Sequence, residues 1–177
     1  MNDVVCFWRT MAVAYAAKVV DRGGNGWALR NAKLRMSRKL IFASGLLLAY
    51  EVCLNPPDDV IDPFGESPAK GTQPLIQKLF SLVGTPPLEV VARAMRQWKA
   101  NGAAVRAVFE SYDQFLGVLD DRRMRERLNS LNYEEAVRSG AFREVRGLGR
   151  TFQDGLDGLF LDGPKESTDL TRRYALF

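Results

Sequence analysis

Apolar residues recur at every third or fourth position along most of this 177-residue sequence, the spacing that places side chains on one face of an α-helix. The opening segment shows this pattern after Asp3, a predicted helix N-cap, and continues until the glycine-rich sequence DRGGNG. Its apolar members include Val4, Phe7, Trp8, Met11, Ala12, Tyr15 and Val19. β-branched residues are sparse, and no stretch alternates apolar and polar residues as a half-buried strand would. The sequence therefore predicts an all-α protein, a helical bundle of about six helices.

A proline-rich stretch divides this predicted bundle. The second helical segment starts near Trp27 and runs to Leu54, with a bend expected at Gly45. The sequence of residues 55–73 then contains four prolines and two glycines without an apolar period, which is typical of a connection. A chain of this length fits one domain. We expect residues 1–54 to form an N-terminal helical hairpin, 55–73 a Pro-rich connection, 74–162 a C-terminal helical bundle and 163–177 a C-terminal tail.

Three amphipathic helices are expected after residue 84. Thr85 is the predicted N-cap of the first, and Pro86 suits its first helical position, where the amide that proline lacks would be unpaired. The apolar faces of the three helices comprise Leu88, Val91, Met95 and Trp98, then Val105, Val108, Tyr112, Phe115 and Leu119, and finally Val145, Leu148, Phe152, Leu156 and Leu159.

Composition excludes several kinds of chemistry. The chain has no histidine, so it cannot build Cys/His zinc sites, Ser-His-Asp or Cys-His nucleophiles, or histidine acid–base catalysis. On a helical hairpin, Cys6 would lie about 20 Å before the turn and Cys53 about 40 Å after it, at about 1.5 Å per residue, so no disulfide is expected. A net charge of +4 and a pI of about 9.2 favour anionic partners without indicating a dedicated nucleic-acid protein.

The sequence also predicts a cytoplasmic protein without membrane contact. Its longest apolar run, Leu40 to Tyr50, is about half of the roughly 20 residues that a membrane-spanning helix needs. The opening MNDVVCFWRT lacks the basic start and the small-residue cleavage site of a secretory signal. Two cysteines without a predicted bridge suit a reducing compartment.

A basic block, RNAKLRMSRK from Arg30 to Lys39, contains five cations in ten residues and raises the question of phosphate binding. At about 100° per residue, one helical stripe is predicted to contain Trp27, Leu34 and Ile41. Arg30 and Arg38 border that stripe. Each must bury its stem and pair with either an internal acid or a bound anion.

The other cations of the block are expected to differ. Arg35, Lys39 and the neighbouring Met36 turn away from the predicted stripe, and we expect Arg35 and Lys39 to lie in solvent. Like charges four residues apart repel each other unless a carboxylate or a phosphate lies between them. Trp8 and Arg9 pose two alternatives. The indole is either a core residue beside an arginine that pairs with an acid, or the two side chains flank a base and its phosphate.

Two further groups of arginines occur in the C-terminal half. The first lies among acidic residues and is interpreted as a solvated, mutually screened face; it comprises Arg122, Arg123, Arg125 and Arg127. The second recurs every three to four residues on the last long predicted helix, either as a solvated face or as an extension of a shallow basic groove; it comprises Arg143, Arg146 and Arg150.

Motifs for metal or phosphate catalysis are missing. Catalytic magnesium commonly requires two acids held close together, often as Asp-x-Asp, and the aspartates of this chain pair only as adjacent Asp-Asp at 58–59 and 120–121. Adjacent residues on a helix point about 100° apart. The glycine cluster RGGNG has no strand before it and no Lys-Ser/Thr after it, so it predicts a hairpin turn rather than a phosphate-cradling loop.

The segments NDVVCFWRTMAVAYAAK and GWALRNAKLRMSRKLIFASGLL, with the ending LTRRYALF, resemble the helical C-terminal region of bacterial nucleotidyltransferase-like proteins of the polymerase-β-like superfamily. The resemblance covers most of the chain. In that superfamily a small mixed sheet carries a Gly-Ser turn and an Asp-x-Asp that hold magnesium and a nucleoside triphosphate, and this sequence contains neither motif.

The resemblance implies an accessory or substrate-binding helical domain that is not catalytic alone and whose partner is a catalytic nucleotidyltransferase domain or subunit. Mg²⁺ and a nucleoside triphosphate would bind only with that catalytic module attached. Phosphate contact would transfer to Arg30, Lys33 and Arg38, with Trp8 and Arg9 nearby, and no catalytic or metal-ligating residue transfers. The ligand would be a nucleotide or RNA.

Two alternatives come from other classes of protein. Small all-α RNases of the HEPN type require an arginine followed four to six residues later by histidine, so the absence of histidine leaves only an inactive relative or an antitoxin-like partner. The second alternative is a protein–protein interaction module or a basic bundle that binds anions or nucleic acid. The sequence leaves the oligomeric state open.

Overall fold

The computed structural model describes residues 6, 9–15, 17, 24–55, 77, 80–81 and 84–174. These residues contain helices and no strand, which confirms the predicted all-α fold. Within them, eight α-helices and one π-helical segment are present, more than the roughly six helices expected. They are α1 (Trp27–Lys33), the π segment (Leu34–Arg38), α2 (Lys39–Leu54), α3 (Pro87–Gln97), α4 (Gly102–Asp120), α5 (Arg122–Ser130), α6 (Tyr133–Arg138), α7 (Gly140–Leu161) and α8 (Lys165–Tyr174). Residues 9–15 are also helical.

A glycine turn starts the long helix that carries the basic block. Gly24 and Gly26 have φ values of 80° and 68°, a left-handed conformation that glycine adopts without steric cost. A Cβ atom on Gly26 would also lie only 2.9 Å from Oδ1 of Asn129. The chain then remains helical through α1, the π segment and α2, as predicted, although the irregularity lies in the π segment instead of at Gly45.

The buried face of this helix differs from the predicted stripe. Ala28, Ala32 and Met36 are buried at four-residue spacing, and Ile41 is 47% exposed. The predicted stripe placed Ile41 inside and Met36 outside, and both assignments are wrong because the core lies on a different side of the helix from Trp27, Leu34 and Ile41. Within the π segment, hydrogen bonds close five residues apart, so its turn holds one residue more than an α-helical turn.

Helices α4 and α7 form the most extensive helix–helix contact of the described fold. Asn101 caps α4 by accepting a hydrogen bond from the Ala103 amide at 2.8 Å, and Ser139 caps α7. The predicted apolar faces of these helices are confirmed as core, since their fully buried members include Val108, Phe115, Phe152, Leu156 and Leu159.

The start of α3 and the C-terminal residues of the chain differ from the sequence prediction. Helix α3 has Pro86 at its N-cap and Pro87 at its first position, one residue beyond the predicted Thr85 and Pro86. The stretch expected as a C-terminal tail contains α8, which packs on α2 and α7. The Tyr50 hydroxyl and the Thr171 hydroxyl lie 3.1 Å apart in this buried contact.

Several predictions fall partly or wholly outside the described residues. Residues 56–73 of the predicted connection lie there, as do Asp58, Asp59 and Trp8. Cys6 and Cys53 are free thiols, as predicted, and both are exposed. In the part of the chain that the structure describes, no helix combines the length and apolar character needed to cross a membrane.

Candidate anion-binding site

Basic side chains from two long helical elements gather around Arg35. The group, called here the basic cluster, comprises Arg30, Arg35, Arg38, Lys39, Arg146 and Arg150. The first four lie on the continuous helix of α1, the π segment and α2, and the last two lie on α7. Tyr15, on the helical residues 9–15, borders the cluster within electrostatic range of three of its arginines.

Arg35 is the central residue of the cluster. Its Nε donates a hydrogen bond of 2.8 Å to Oδ1 of Asn31, a side chain that is only 8% exposed. A Cβ atom on Gly149 would lie 3.2 Å from Cβ of Arg35, so the bare glycine lets α7 approach the arginine stem closely. The guanidinium is thus oriented by an internal acceptor, and its two Nη groups are not used by that bond.

Lys39 lies one helical turn further along and is half-buried. Its Nζ donates to Oε1 of Gln153, whose Nε2 donates in turn to Oδ1 of Asp157 at 2.5 Å. Burial lowers the pKa of Lys39 from its ordinary value of 10.5, and the charge of Arg35 lowers it further, while Asp157 acts in the opposite direction. The ammonium therefore occupies an environment that disfavours its charge.

Like charge also surrounds Arg35. Burial lowers its pKa most, followed by the guanidinium groups of Arg146 and Arg150. Among the described residues, no cation of the basic cluster forms an ion pair with a carboxylate. A half-buried set of cations without a paired acid is electrostatically unfavourable, and a bound anion would relieve it.

Two buried polar atoms at the cluster lack hydrogen-bond partners among the described residues. They are the hydroxyl oxygen of Tyr15 and Nε of Arg30. The Tyr15 hydroxyl lies near Asn31 without forming a hydrogen bond of normal geometry. Burial raises the pKa of Tyr15, against smaller opposing effects from Asn31 and the arginines. Arg30 also has a structural role, because its Nη2 donates to the carbonyl of Asn25 in the glycine turn.

The predicted phosphate-binding residues occupy different environments. Arg30 and Arg38 are half-buried and lie in the basic cluster, both within electrostatic range of Tyr15. Lys33 is exposed on α1, and Arg9 is exposed on the segment that carries Tyr15. Trp8 lies outside the described residues.

The expectation that Arg35 and Lys39 lie in solvent is wrong. Both are half-buried, because they lie on the side of the helix that includes the buried Asn31 and Ala32, and Gly149 admits α7 against the Arg35 stem. Sequence reasoning also missed Tyr15 and Asn31. A buried asparagine four residues before an arginine is a weak signal, and the approach of residues 9–15 is a tertiary contact.

The other arginines separate into the two groups that the sequence distinguished. Arg122, Arg123, Arg125 and Arg127 of α5 are exposed, which confirms the prediction of a solvated face, and Arg122 pairs with Glu126 at 2.8 Å. On α7, Arg146 and Arg150 are exposed and lie within electrostatic range of Arg35, and Arg143 is also exposed.

Other features of the described residues offer less chemistry. An apolar cavity of about 100 Å³ lies between α2 and α3, with Leu47, Val90 and Trp98 among its walls. The one arginine in its lining, Arg93, pairs with Glu89 at 3.0 Å. Among the residues that the structure describes, no three acidic or cysteine side chains group closely enough to hold a metal ion. Asp121 serves as the N-cap of α5.

Fold and site together define an all-α bundle with a basic cluster whose members on the continuous helix are half-buried and whose members on α7 are exposed. No protein-family model, no curated protein and no solved structure matches this chain.

Replacing Lys39 with methionine is expected to raise the free energy of unfolding by about 1 kcal/mol at pH 8, because a desolvated charge is exchanged for an apolar chain of similar length. Between its lowered folded pKa and 10.5, Lys39 binds fewer protons in the folded state than in the unfolded state. The unfolding free energy that Lys39 contributes therefore rises with pH across this window. The advantage of Lys39→Met should shrink as the pH approaches 10.5.

Urea denaturation of the wild type, Lys39→Met and Lys33→Met at pH 8 and pH 10 measures this effect. Lys33 is the matched control because it is exposed on the same continuous helix. A loss of stability in Lys39→Met at pH 8 would mean that its contact with Gln153 outweighs the cost of burying the ammonium.

Proposed function

We propose that this protein is a helical module that binds a phosphate-bearing ligand at the basic cluster and is not catalytic alone. The observation that carries the proposal is the half-buried Arg35, held by Asn31 and accompanied by Arg146 and Arg150, without a paired carboxylate among the described residues. Arginine donors in a partly desolvated setting bind phosphate oxygens through charge-assisted hydrogen bonds.

The wider role that we propose is the accessory or substrate-binding part of a bacterial nucleotidyltransferase-like system. Its support is the sequence resemblance of the first two helical segments, one of which carries most of the basic cluster. A catalytic partner domain or subunit would supply the Gly-Ser and Asp-x-Asp motifs, Mg²⁺ and the chemistry. The exposed free thiols Cys6 and Cys53 suit the reducing cytoplasm that we propose as its location.

Calorimetric titration with ATP tests phosphate binding directly. Arg35→Gln is expected to weaken ATP binding at least about tenfold, since it removes charge-assisted hydrogen bonds worth roughly 1.5–3 kcal/mol. Arg30→Ala and Arg38→Ala should each weaken it more than Arg123→Ala does. The control Arg123→Gln changes the net charge by the same amount on the exposed face of α5 and should leave the affinity within about twofold.

Non-specific attraction of ATP to the net positive charge of the protein would give a different outcome from binding at Arg35. If binding depended only on net charge, Arg35→Gln and Arg123→Gln would weaken it equally and both losses would fade with added salt. Equal losses, or no ATP binding by the wild type, would refute the proposal. Nucleotide transfer by the purified chain with ATP and Mg²⁺, free of contaminating enzyme, would contradict the proposed absence of autonomous catalysis.

A second candidate function is docking to another protein, as an interaction or antitoxin-like module. The observation that favours it is on α6, where Tyr133 and Val137 are 58% and 50% exposed, one turn apart. Exposed apolar side chains in one patch are typical of interaction surfaces. Capture of a partner that is lost in Val137→Asp but retained in Arg35→Gln would support docking over phosphate binding.

A further inference from the structure

We infer that the basic cluster selects a terminal phosphate group, a phosphomonoester with two negative charges on one phosphorus, over the phosphodiesters inside a nucleic-acid strand. The inference rests on the proposed function and adds a ligand class to it. Two sources carry this group, a free nucleotide and the 5′ end of a nucleic-acid strand.

The first step is the orientation of Arg35. Its Nε is engaged by Asn31 at 2.8 Å, and Asn31 is held in the core at 8% exposure. Gly149 contacts the stem of the same arginine on its other side. Fixing the stem and Nε leaves the two adjacent Nη groups to face a ligand together, an arrangement that matches two oxygens of one phosphate.

The second step is the convergence of positive charge on one point. Arg146 and Arg150 lie on α7 on either side of Gly149, the residue against the Arg35 stem, and Lys39 lies about one turn beyond Arg35 at the start of α2. A phosphodiester strand carries one negative charge per phosphate, distributed along its length, whereas a monoester places two charges on one group near neutral pH. Coulomb attraction to a convergent set of cations therefore favours the monoester.

The third step is partial burial. Arg35 and Lys39 are half-buried, whereas Arg146 and Arg150 are exposed beside them. A terminal phosphate can reach Arg35 end-on. An internal diester would have to bring a sugar on each side of the phosphate against the half-buried side chains and would lose hydration there without gaining partners.

The test compares two short single-stranded RNAs of identical sequence, both labelled with a fluorophore at the 3′ end, one with a 5′-phosphate and one with a 5′-hydroxyl. Fluorescence anisotropy at pH 7.5 should show at least about tenfold tighter binding of the phosphorylated strand, because it offers an additional charge-assisted contact. Arg35→Gln should remove this difference, and Arg123→Gln should preserve it. AMP and adenosine form a second matched pair. Tighter binding of AMP than of the 5′-phosphorylated RNA would identify a free nucleotide as the source of the phosphate, and the reverse would identify the 5′ end of a strand.

The pH dependence provides an independent readout. The second pKa of a phosphate monoester is about 6, and the chain has no histidine, so the side chains of this protein include none with an ordinary pKa in the same range. Lowering the pH from 7.5 to 5 should therefore reduce the preference for the phosphorylated strand while changing the binding of the 5′-hydroxyl strand little.

The outcomes separate this inference from the proposed function. Equal affinity for the two strands, with both weakened by Arg35→Gln, would overturn terminal-phosphate selection and leave phosphate binding intact. Affinities that are unchanged by Arg35→Gln would overturn both.

Discussion

Replacing Gly155 with alanine is expected to lower the free energy of unfolding by about 3 kcal/mol, a large loss for one methyl group. Its Cβ would lie 2.7 Å from Cγ2 of Val108, 2.9 Å from the Ala104 carbonyl oxygen and 2.9 Å from the Val108 amide nitrogen. Two of these atoms belong to the backbone of α4, so no rotamer change relieves the overlap. Helices α4 and α7 must separate to accommodate it, although they form the main contact of the bundle.

Gly117→Ala is the matched control for this experiment. Gly117 also lies within a long helix, and among the described residues no atom beyond its local helix backbone and its two chain neighbours lies within 4 Å of an added Cβ. Alanine there is expected to stabilise the protein by about 0.5–1 kcal/mol, because glycine loses more backbone freedom on folding. Thermal or urea unfolding should therefore move in opposite directions for the two variants. A shift of the same sign and size in both would contradict the close packing at Gly155.

Phe160→Ala is expected to cost about 3–5 kcal/mol, because it removes a fully buried ring from the junction of three helices. The Phe160 ring, on α7, packs edge-on against Tyr50 of α2 at 6.0 Å and against Trp98 at 6.5 Å, just beyond the end of α3. The loss combines the hydrophobic transfer of the ring, the cavity that remains and two aromatic contacts.

The adjacent Leu161 supplies the control for Phe160. Leu161 is 42% exposed on the same helix, so Leu161→Ala should cost less than about 1 kcal/mol. Urea denaturation followed by circular dichroism measures both variants. A similar dependence of the unfolding free energy on urea concentration in the two variants would show that both expose a similar surface on unfolding. Losses of equal size would mean that the ring is not the anchor of this junction.

The fold followed from the sequence where the helical period is regular. Val108 and Phe115 on α4, and Phe152 and Leu156 on α7, were expected to face inward, and all four are fully buried. The number of helices was underestimated because α6 and α8 are short and carry much polar sequence, so their apolar period is weak. Burial of Thr171 and Ser167 in the α8 contact is a tertiary effect that no local pattern indicates.

The candidate site was predicted less well than the fold. The basic block was identified, and Arg30 and Arg38 do border buried structure, but Arg35 and Lys39 were assigned to the wrong side. The error lies in the choice of face, because the buried Asn31 and Ala32 are on the same side of the helix as Arg35 and Lys39. Gly149 and Tyr15 act through contacts between distant segments, which a single sequence does not reveal.

The π segment also has a consequence for how this chain should be compared with relatives. A π turn has the geometry of an α-helix into which one residue has been inserted, so a relative with an unbroken α-helix would be one residue shorter between Leu34 and Arg38. Such a relative would keep the counterparts of Lys39 and Ile41 on their present side of the helix, because the deletion removes the residue that widens the turn. A one-residue gap at this turn in an alignment would therefore not by itself remove the cations from the neighbourhood of Arg35.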